Sequence, residues 1–286
     1  MLVEGYSECL GARHELLAMD TAGKGLVLHL FADSAWLDRA QRLIGLHQRA
    51  GDDESAHLVD GIQRLADRRV AGYVEIVRMA LRREPVELHG DQYEIPYAGA
   101  GSTGLGKPLK LLVRGHRADI PIYLAALSPK NVRTAFEIAD GWLPIFFSPE
   151  HAREAFAFTP RDGFEIAPSV NVVVSDDVEA ARDALKPVLA LYVGGMGARG
   201  TNFYNALVRR YGYEDEADHI QQLYLAGNQR DAIAAVPDAL VDDVALVGPR
   251  ERIAERLDAW RESGATTLLV STRDRVALRT MAELVL

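Results

Sequence analysis

The chain holds a single cysteine, Cys9, among 286 residues. No internal disulfide can form, and a reducing compartment is expected. No apolar run is long enough to span a bilayer. The opening stretch MLVEGYSECLGARHE lacks the basic start and apolar core of a signal peptide. A soluble, cytoplasmic protein is the expectation. Basic residues are also in deficit: Lys and Arg number 32 against 41 Asp and Glu, leaving a formal charge of −9. That balance argues against a nucleic-acid partner. It would also repel an anionic ligand at long range, so an anion site must rest on local groups. The eight histidines show no metal-ligand spacing. His14-Glu15-Leu16-Leu17-Ala18 begins like a zinc-protease helix, but Ala18 stands where the second histidine belongs, and no metal is expected. There is no G-x-S-x-G elbow, no internal repeat and no low-complexity tract.

What is present is ample core material, 48% hydrophobic residues, arranged in an α/β order. The organising stretch is Pro121–Pro149. Pro121–Ala126 reads as a buried strand. Ser128 and Pro129 read as N-cap and first residue of a helix, with apolar residues at Val132, Ala135, Phe136 and Ala139 on one face. Gly141 closes it and Trp142–Phe147 reads as a second strand. Short connections make this a parallel, right-handed strand–helix–strand unit. The loop into its helix N-terminus suits an anion.

Before this unit, Gly25–Phe31 reads as a strand, Ala35–Leu46 as a helix, and helical spacing runs from Leu58 to Leu81 until Pro85 stops it. Val86–Pro96 reads as an excursion with one or two short strands, and Pro108–Val113 as another strand. After it, the pattern predicts a helix over Glu150–Phe158, a strand over Ile166–Val174 and a helix from Asp177 towards Leu191. Helical stretches follow over Asn202–Ala226 and Asp231–Leu240. Arg250–Ser263 then reads as a helix, Thr266–Ser271 as a last strand, and a short helix ends the chain. Strands alternating with helices predict a parallel sheet.

Three glycine patterns imitate nucleotide motifs. Gly99–Gly104 and Gly195–Gly200 fit G-x-G-x-x-G, and Gly101 to Lys107 fits the front of a P-loop. The first lacks a preceding buried strand and a following helix. The second follows a helix, and in the third Pro108 replaces the magnesium-binding Ser or Thr. All three read as glycine loops. His29 and Asp33, at the end of a candidate strand, occupy a position where barrel enzymes keep catalytic groups, though a packed histidine and a helix cap explain them as well. Tyr192, Tyr204, Tyr211, Tyr213, Tyr224 and Phe203 are either core or the wall of a ring-shaped ligand.

The segment PIYLAALSPKNVRTAFEIADGWLPIFFSPE resembles the centre of luciferase-like oxidoreductases, in particular the branch dependent on the deazaflavin coenzyme F420. YVEIVRMALRREPVELHGDQYEIP, GSTGLGKPLKLL, ALYVGGMGARGTNFYNALVRRYGY, VALVGPRERIAERLDAW and GATTLLVST are similar to the same family. The resemblance runs from about Ala71 to Leu286. It implies an α/β fold, the (β/α)8 TIM barrel, with an insertion loop around residues 86–113. Residues 1–70 form a divergent segment, mostly helical with one candidate strand. In the family several strand–helix units precede the segment resembling Tyr73–Glu84, so the barrel is expected to be incomplete, its first strands missing or replaced.

The resemblance further implies hydride transfer at the deazaflavin C5, with the coenzyme in the barrel mouth. Its phosphate turn corresponds to Ala126, Leu127 and Ser128, with Lys130 and Asn131 beside it. A second ligand-facing segment corresponds to Gly194, Gly195 and Met196, followed by Gly197, with Asn202, Phe203 and Tyr204 behind. No acid–base residue is assigned. The expectation is an F420-dependent oxidoreductase acting on a small organic molecule, a homo-oligomer without nucleic-acid or membrane partners. The alternatives are an FMN-dependent luciferase-like monooxygenase and a non-catalytic truncated or split barrel.

Overall fold

A computed structural model describes residues 15–19, 26–30, 54–112 and 117–285. Two compact units divide the chain: Met1–Leu124 with Glu137–Asp140, and Ala125–Phe136 with Gly141–Leu286.

In the first unit β1 (Glu15–Met19) pairs antiparallel with β2 (Leu26–Leu30), and β2 pairs in parallel with β5 (Ile122–Leu124). The strand expected over Gly25–Phe31 is thus present. Glu15–Ala18 of the zinc-helix look-alike instead lie in β1, and the antiparallel pairing of that strand departs from the all-parallel expectation. Helix α1 (Glu54–Leu81) runs through the whole periodic stretch. Arg83 ends it in the left-handed region (φ 59°), ahead of Pro85. From its last turn the Arg78 guanidinium donates to Asp140 Oδ2 at 3.0 Å and to the Ile138 carbonyl at 3.1 Å. Asp140 Oδ2 also accepts from the Ile122 N–H at 2.8 Å, so one carboxylate ties β5 to α1.

The excursion forms a hairpin of β3 (Leu88–His89) and β4 (Glu94–Ile95). No strand covers Pro108–Leu112: Leu109 makes an isolated bridge to Val86, and Leu112 is 95% exposed. Pairing stops at that single bridge, so no ladder forms. Val113, Asp33, Cys9 and the expected helix Ala35–Leu46 lie outside the described residues. His29 is described only as backbone of β2.

In the second unit β6 (Gly141–Trp142) pairs in parallel with β7 (Glu165–Ile166), and β8 (Ser169–Val174) lies between β9 (Ala245–Gly248) and β10 (Leu269–Ser271), all parallel. The strands expected over Trp142–Phe147 and Ile166–Val174 are interrupted. Pro144 and Pro168 have no N–H, which thins the ladder; it continues only through Ala167 N to Trp142 O, Ser169 N to Pro144 O and an Ile145–Ser169 bridge. Phe146 then leaves the strand at φ 52°. No closed ring of strands forms among the described residues.

Helix α2 (Pro129–Ile138) starts where expected and stops short of Ala139, and Gly141, expected to close it, lies in β6. The helix expected over Glu150–Phe158 shrinks to α3 (Ala152–Ala155), because Ala157 turns at φ 53° and carries Phe158 inward. There Phe156 and Phe158 meet Trp142 edge-on at 4.8 and 5.2 Å, and Trp142 is fully buried. The stretch towards Leu191 is α4 (Val178–Asp183), capped by Asp177, then α5 (Lys186–Ala190) and a π turn over Leu191–Gly195. The tail comprises α6 (Phe203–Arg210), α7 (Glu214–Leu225), α8 (Gln229–Ala234), α9 (Asp238–Val244), α10 (Arg250–Glu262) and α11 (Arg275–Val285). Gly212 (φ 91°) separates α6 from α7, and Pro237 separates α8 from α9. Among the described residues no helix is long and apolar enough to cross a membrane.

Candidate functional site

The chain leaves β5 at Leu124 and turns through Ala125–Ser128 into α2. Ser128 caps the helix as the sequence predicts: its Oγ accepts from Asn131 N at 3.2 Å and its carbonyl from Val132 N at 2.9 Å. Two side chains from elsewhere in the second unit hold the turn by its carbonyls. Trp142 Nε1 donates to Ala126 O at 3.0 Å, and Arg210 Nη2 to Leu127 O at 2.7 Å. The Leu127 and Ser128 N–H groups meet no acceptor among the described residues. Lys130 and Asn131, both half-buried, stand in the first turn of α2. Unpaired N–H groups, the positive end of a helix and a nearby guanidinium make this turn chemically fit for a phosphate.

The second expected segment is built differently. Gly194 and Gly195 lie in the π turn against α7. A Cβ on Gly194 would come within 2.5 Å of Tyr224 Cβ, and one on Gly195 within 2.5 Å of Tyr224 Cε1. This close approach is sufficient reason for both glycines. Met196, 48% exposed, is the member of the trio that faces solvent. The π turn leaves backbone carbonyls without the usual helical donors. Asn202 supplies them: its Nδ2 donates to Tyr192 O at 2.8 Å and Val193 O at 3.0 Å, while its Oδ1 caps α6 at Tyr204 N and Asn205 N. Asn205 Nδ2 adds bonds to Val193 O and Ala217 O.

One helix thus serves both segments. Asn202 grips the π turn at the start of α6 and Arg210 grips the Leu127 turn at its end, roughly 12 Å apart at 1.5 Å per residue. The structure places the two candidate segments at opposite ends of a common strut. Beside it Phe146, Tyr192 and Tyr204 pack edge to face, with Tyr192–Tyr204 centroids 4.6 Å apart and Phe146–Tyr192 5.2 Å. Burial, then the neighbouring Tyr192, raises the Tyr204 phenol above its ordinary value, so it stays neutral. Of the remaining candidate aromatics, Tyr211 is core, Tyr224 covers the glycines, Tyr213 donates to Asp243 Oδ2 at 2.7 Å, and Phe203 is exposed.

Arg210 and Trp142 escaped the sequence reading. Nothing local to Arg209-Arg210 marks which of the two turns inward. A pocket lined by Asp242, Val247, Arg252 and Arg256 is occupied by its own ion pairs, Arg252 to Asp242 at 2.9 Å and Arg256 to Glu150. The described residues contain no group of three or more His, Cys, Asp or Glu able to hold a metal.

Similarity to known proteins shows the family. A family profile described as luciferase-like monooxygenase matches residues 62–267. A Mycobacterium tuberculosis protein named provisionally as a coenzyme F420-dependent oxidoreductase is 42% identical over 76% of this chain and 66% of its own length. The 5,10-methylenetetrahydromethanopterin reductase of Archaeoglobus fulgidus is 24% identical over 72% of this chain and 60% of its own. Among solved structures, the coenzyme F420 dependent tetrahydromethanopterin reductase of Methanopyrus kandleri superposes with a TM-score of 0.53 at 22% identity, covering 74% of this chain and 59% of that one. The chain therefore spans two thirds or less of the length of these relatives. With more than half of its residues matched by the family profile, the chain belongs to the luciferase-like monooxygenase family.

Proposed function

We propose that this chain is an F420-dependent oxidoreductase whose Ala126–Ser128 turn receives the phosphate of the coenzyme. When bound, the deazaflavin would supply a hydride acceptor or donor at C5. The chain's own residues bind and orient. Leu127 and Ser128 offer N–H groups at the head of α2, Lys130 and Arg210 offset the anionic charge, and the Phe146–Tyr192–Tyr204 cluster and Met196 give an apolar flank. The substrate is a small organic molecule and the working form a homo-oligomer in the cytoplasm. The observation that carries the reading is the 42% identity with the provisionally named F420-dependent oxidoreductase, which extends over 76% of this chain.

Titration of oxidised F420 fluorescence tests it. The wild-type chain is expected to bind. Ser128→Asp places a carboxylate at the helix N-terminus against the phosphate and should weaken binding by about tenfold or more. Unchanged affinity in that variant would remove the turn from the site. No binding by the wild-type chain would favour the non-catalytic barrel fragment instead.

A further inference from the structure

The geometry points to Arg210 as a positioning residue for the anion turn: by holding the Leu127 carbonyl from behind, it aims the Ser128 N–H at the phosphate. This rests on the reading that Ala126–Ser128 receives a phosphate. The Leu127 carbonyl and the Ser128 N–H belong to one trans peptide plane and point in opposite directions. Whatever fixes the carbonyl therefore fixes the donor. Arg210 Nη2 binds Leu127 O at 2.7 Å, and its Nε binds Ala155 O at 2.8 Å, which sets the plane of the guanidinium. Trp142 on Ala126 O does the same for the peptide that carries the Leu127 N–H. The two anchors together fix the planes of the consecutive peptides that carry these N–H groups.

Charge adds to direction. A cation on a peptide carbonyl polarises the group and strengthens its N–H as a donor. Arg182, Arg209, Arg252 and Arg256 of the same unit each pair with a carboxylate. Among the described residues Arg210 has no such pair, although it is half-buried and its neighbours are two neutral carbonyls. A partly desolvated cation without a counter-charge is costly. A phosphate on the far side of the Leu127–Ser128 peptide supplies the charge that the chain does not.

Fluorescence titration of the full chain with F420 and with the phosphate-free deazaflavin separates the two levels of the argument. The wild-type protein should prefer F420 by at least about tenfold, as hydrogen bonds to a charged group imply. Arg210→Met should remove most of that preference while leaving affinity for the phosphate-free compound within about twofold. Arg210→Lys keeps the charge but cannot bridge both carbonyls in one plane, and should recover part of it. A wild-type protein without preference would overturn the phosphate reading and this inference with it. Full preference retained in both variants would overturn the role of Arg210 alone. Equal loss of both ligands would make Arg210 merely structural and also overturn it. Should Arg210→Met not fold, Arg210→Lys decides: a reduced preference at an unchanged melting temperature supports the inference, and an undiminished one overturns it.

Discussion

Tyr211 shows how one side chain holds a strand end that the backbone alone would not keep. Its hydroxyl donates to Phe146 O at 2.8 Å and accepts from Ser148 N at 3.3 Å. Those bonds bracket Phe147, the residue that follows the left-handed Phe146, a conformation costly for a side chain of that size. The ring is 5% exposed, and burial, the largest influence, holds the phenol far above its ordinary 10.0. Tyr211→Phe keeps the packing and strands two buried backbone groups. It should cost about 1–3 kcal/mol at neutral pH in a urea melt. The pH dependence carries a sign. The folded value lies above the unfolded one, so the phenol's contribution is complete below 10.0 and declines as pH rises beyond it, where the unfolded chain ionises first. The gap between wild type and Tyr211→Phe should therefore narrow above pH 10. A gap that widens there would mean the phenol is not held neutral.

At the scale of elements, α6 and the π turn stand or fall together through Asn202. That residue is 3% exposed and satisfies two carbonyls and two N–H groups at once. Asn202→Ala removes the cap and leaves the Tyr192 carbonyl open. The expected loss is about 2 kcal/mol or more, above an ordinary cap. Asn202→Asp keeps the cap but loses both donors, so near-UV circular dichroism of the Tyr192–Tyr204 cluster should change in both variants. An unaltered tyrosine signal in Asn202→Asp would show that the π turn does not need these bonds. Elements of this kind mark the border of what was legible beforehand. The start of the helix in the Pro121–Pro149 unit was readable because Ser128-Pro129 and the apolar spacing act within a few residues, whereas Gly141, read as the helix stop, begins β6 instead. The glycine patterns were set aside as nucleotide motifs on equally local grounds, since their flanking residues do not spell the required strand or helix. The π turn was not readable, because Gly194 and Gly195 answer to Tyr224, which lies about thirty residues away. Strand lengths were overestimated where Pro144 and Pro168 remove donors, and β1 was missed because its residues, ELLAM, include no β-branched or aromatic side chain. In the site, the turn was found from its own sequence, whereas Arg210 and Trp142 act across 83 and 16 residues.

At the scale of the whole molecule, a net charge of −9 meets a proposed ligand that is itself an anion. Two fields then compete over different ranges. The Leu127 and Ser128 N–H groups act within hydrogen-bond reach, and Arg210 is half-buried behind them. The summed surface charge acts over a Debye length, about 30 Å at 0.01 M salt and about 10 Å at 0.1 M. Raising the salt across that interval removes most of the repulsion felt during approach and much less of the attraction felt in contact. The association rate of F420, followed by stopped-flow fluorescence, should therefore rise by roughly two- to fivefold, with a smaller change in the dissociation rate. A cation-lined entrance would behave in the opposite way, with association slowing as salt increases. That outcome would place a steering group outside the turn, and would mean that the local groups named here are not what first draws the coenzyme to the protein.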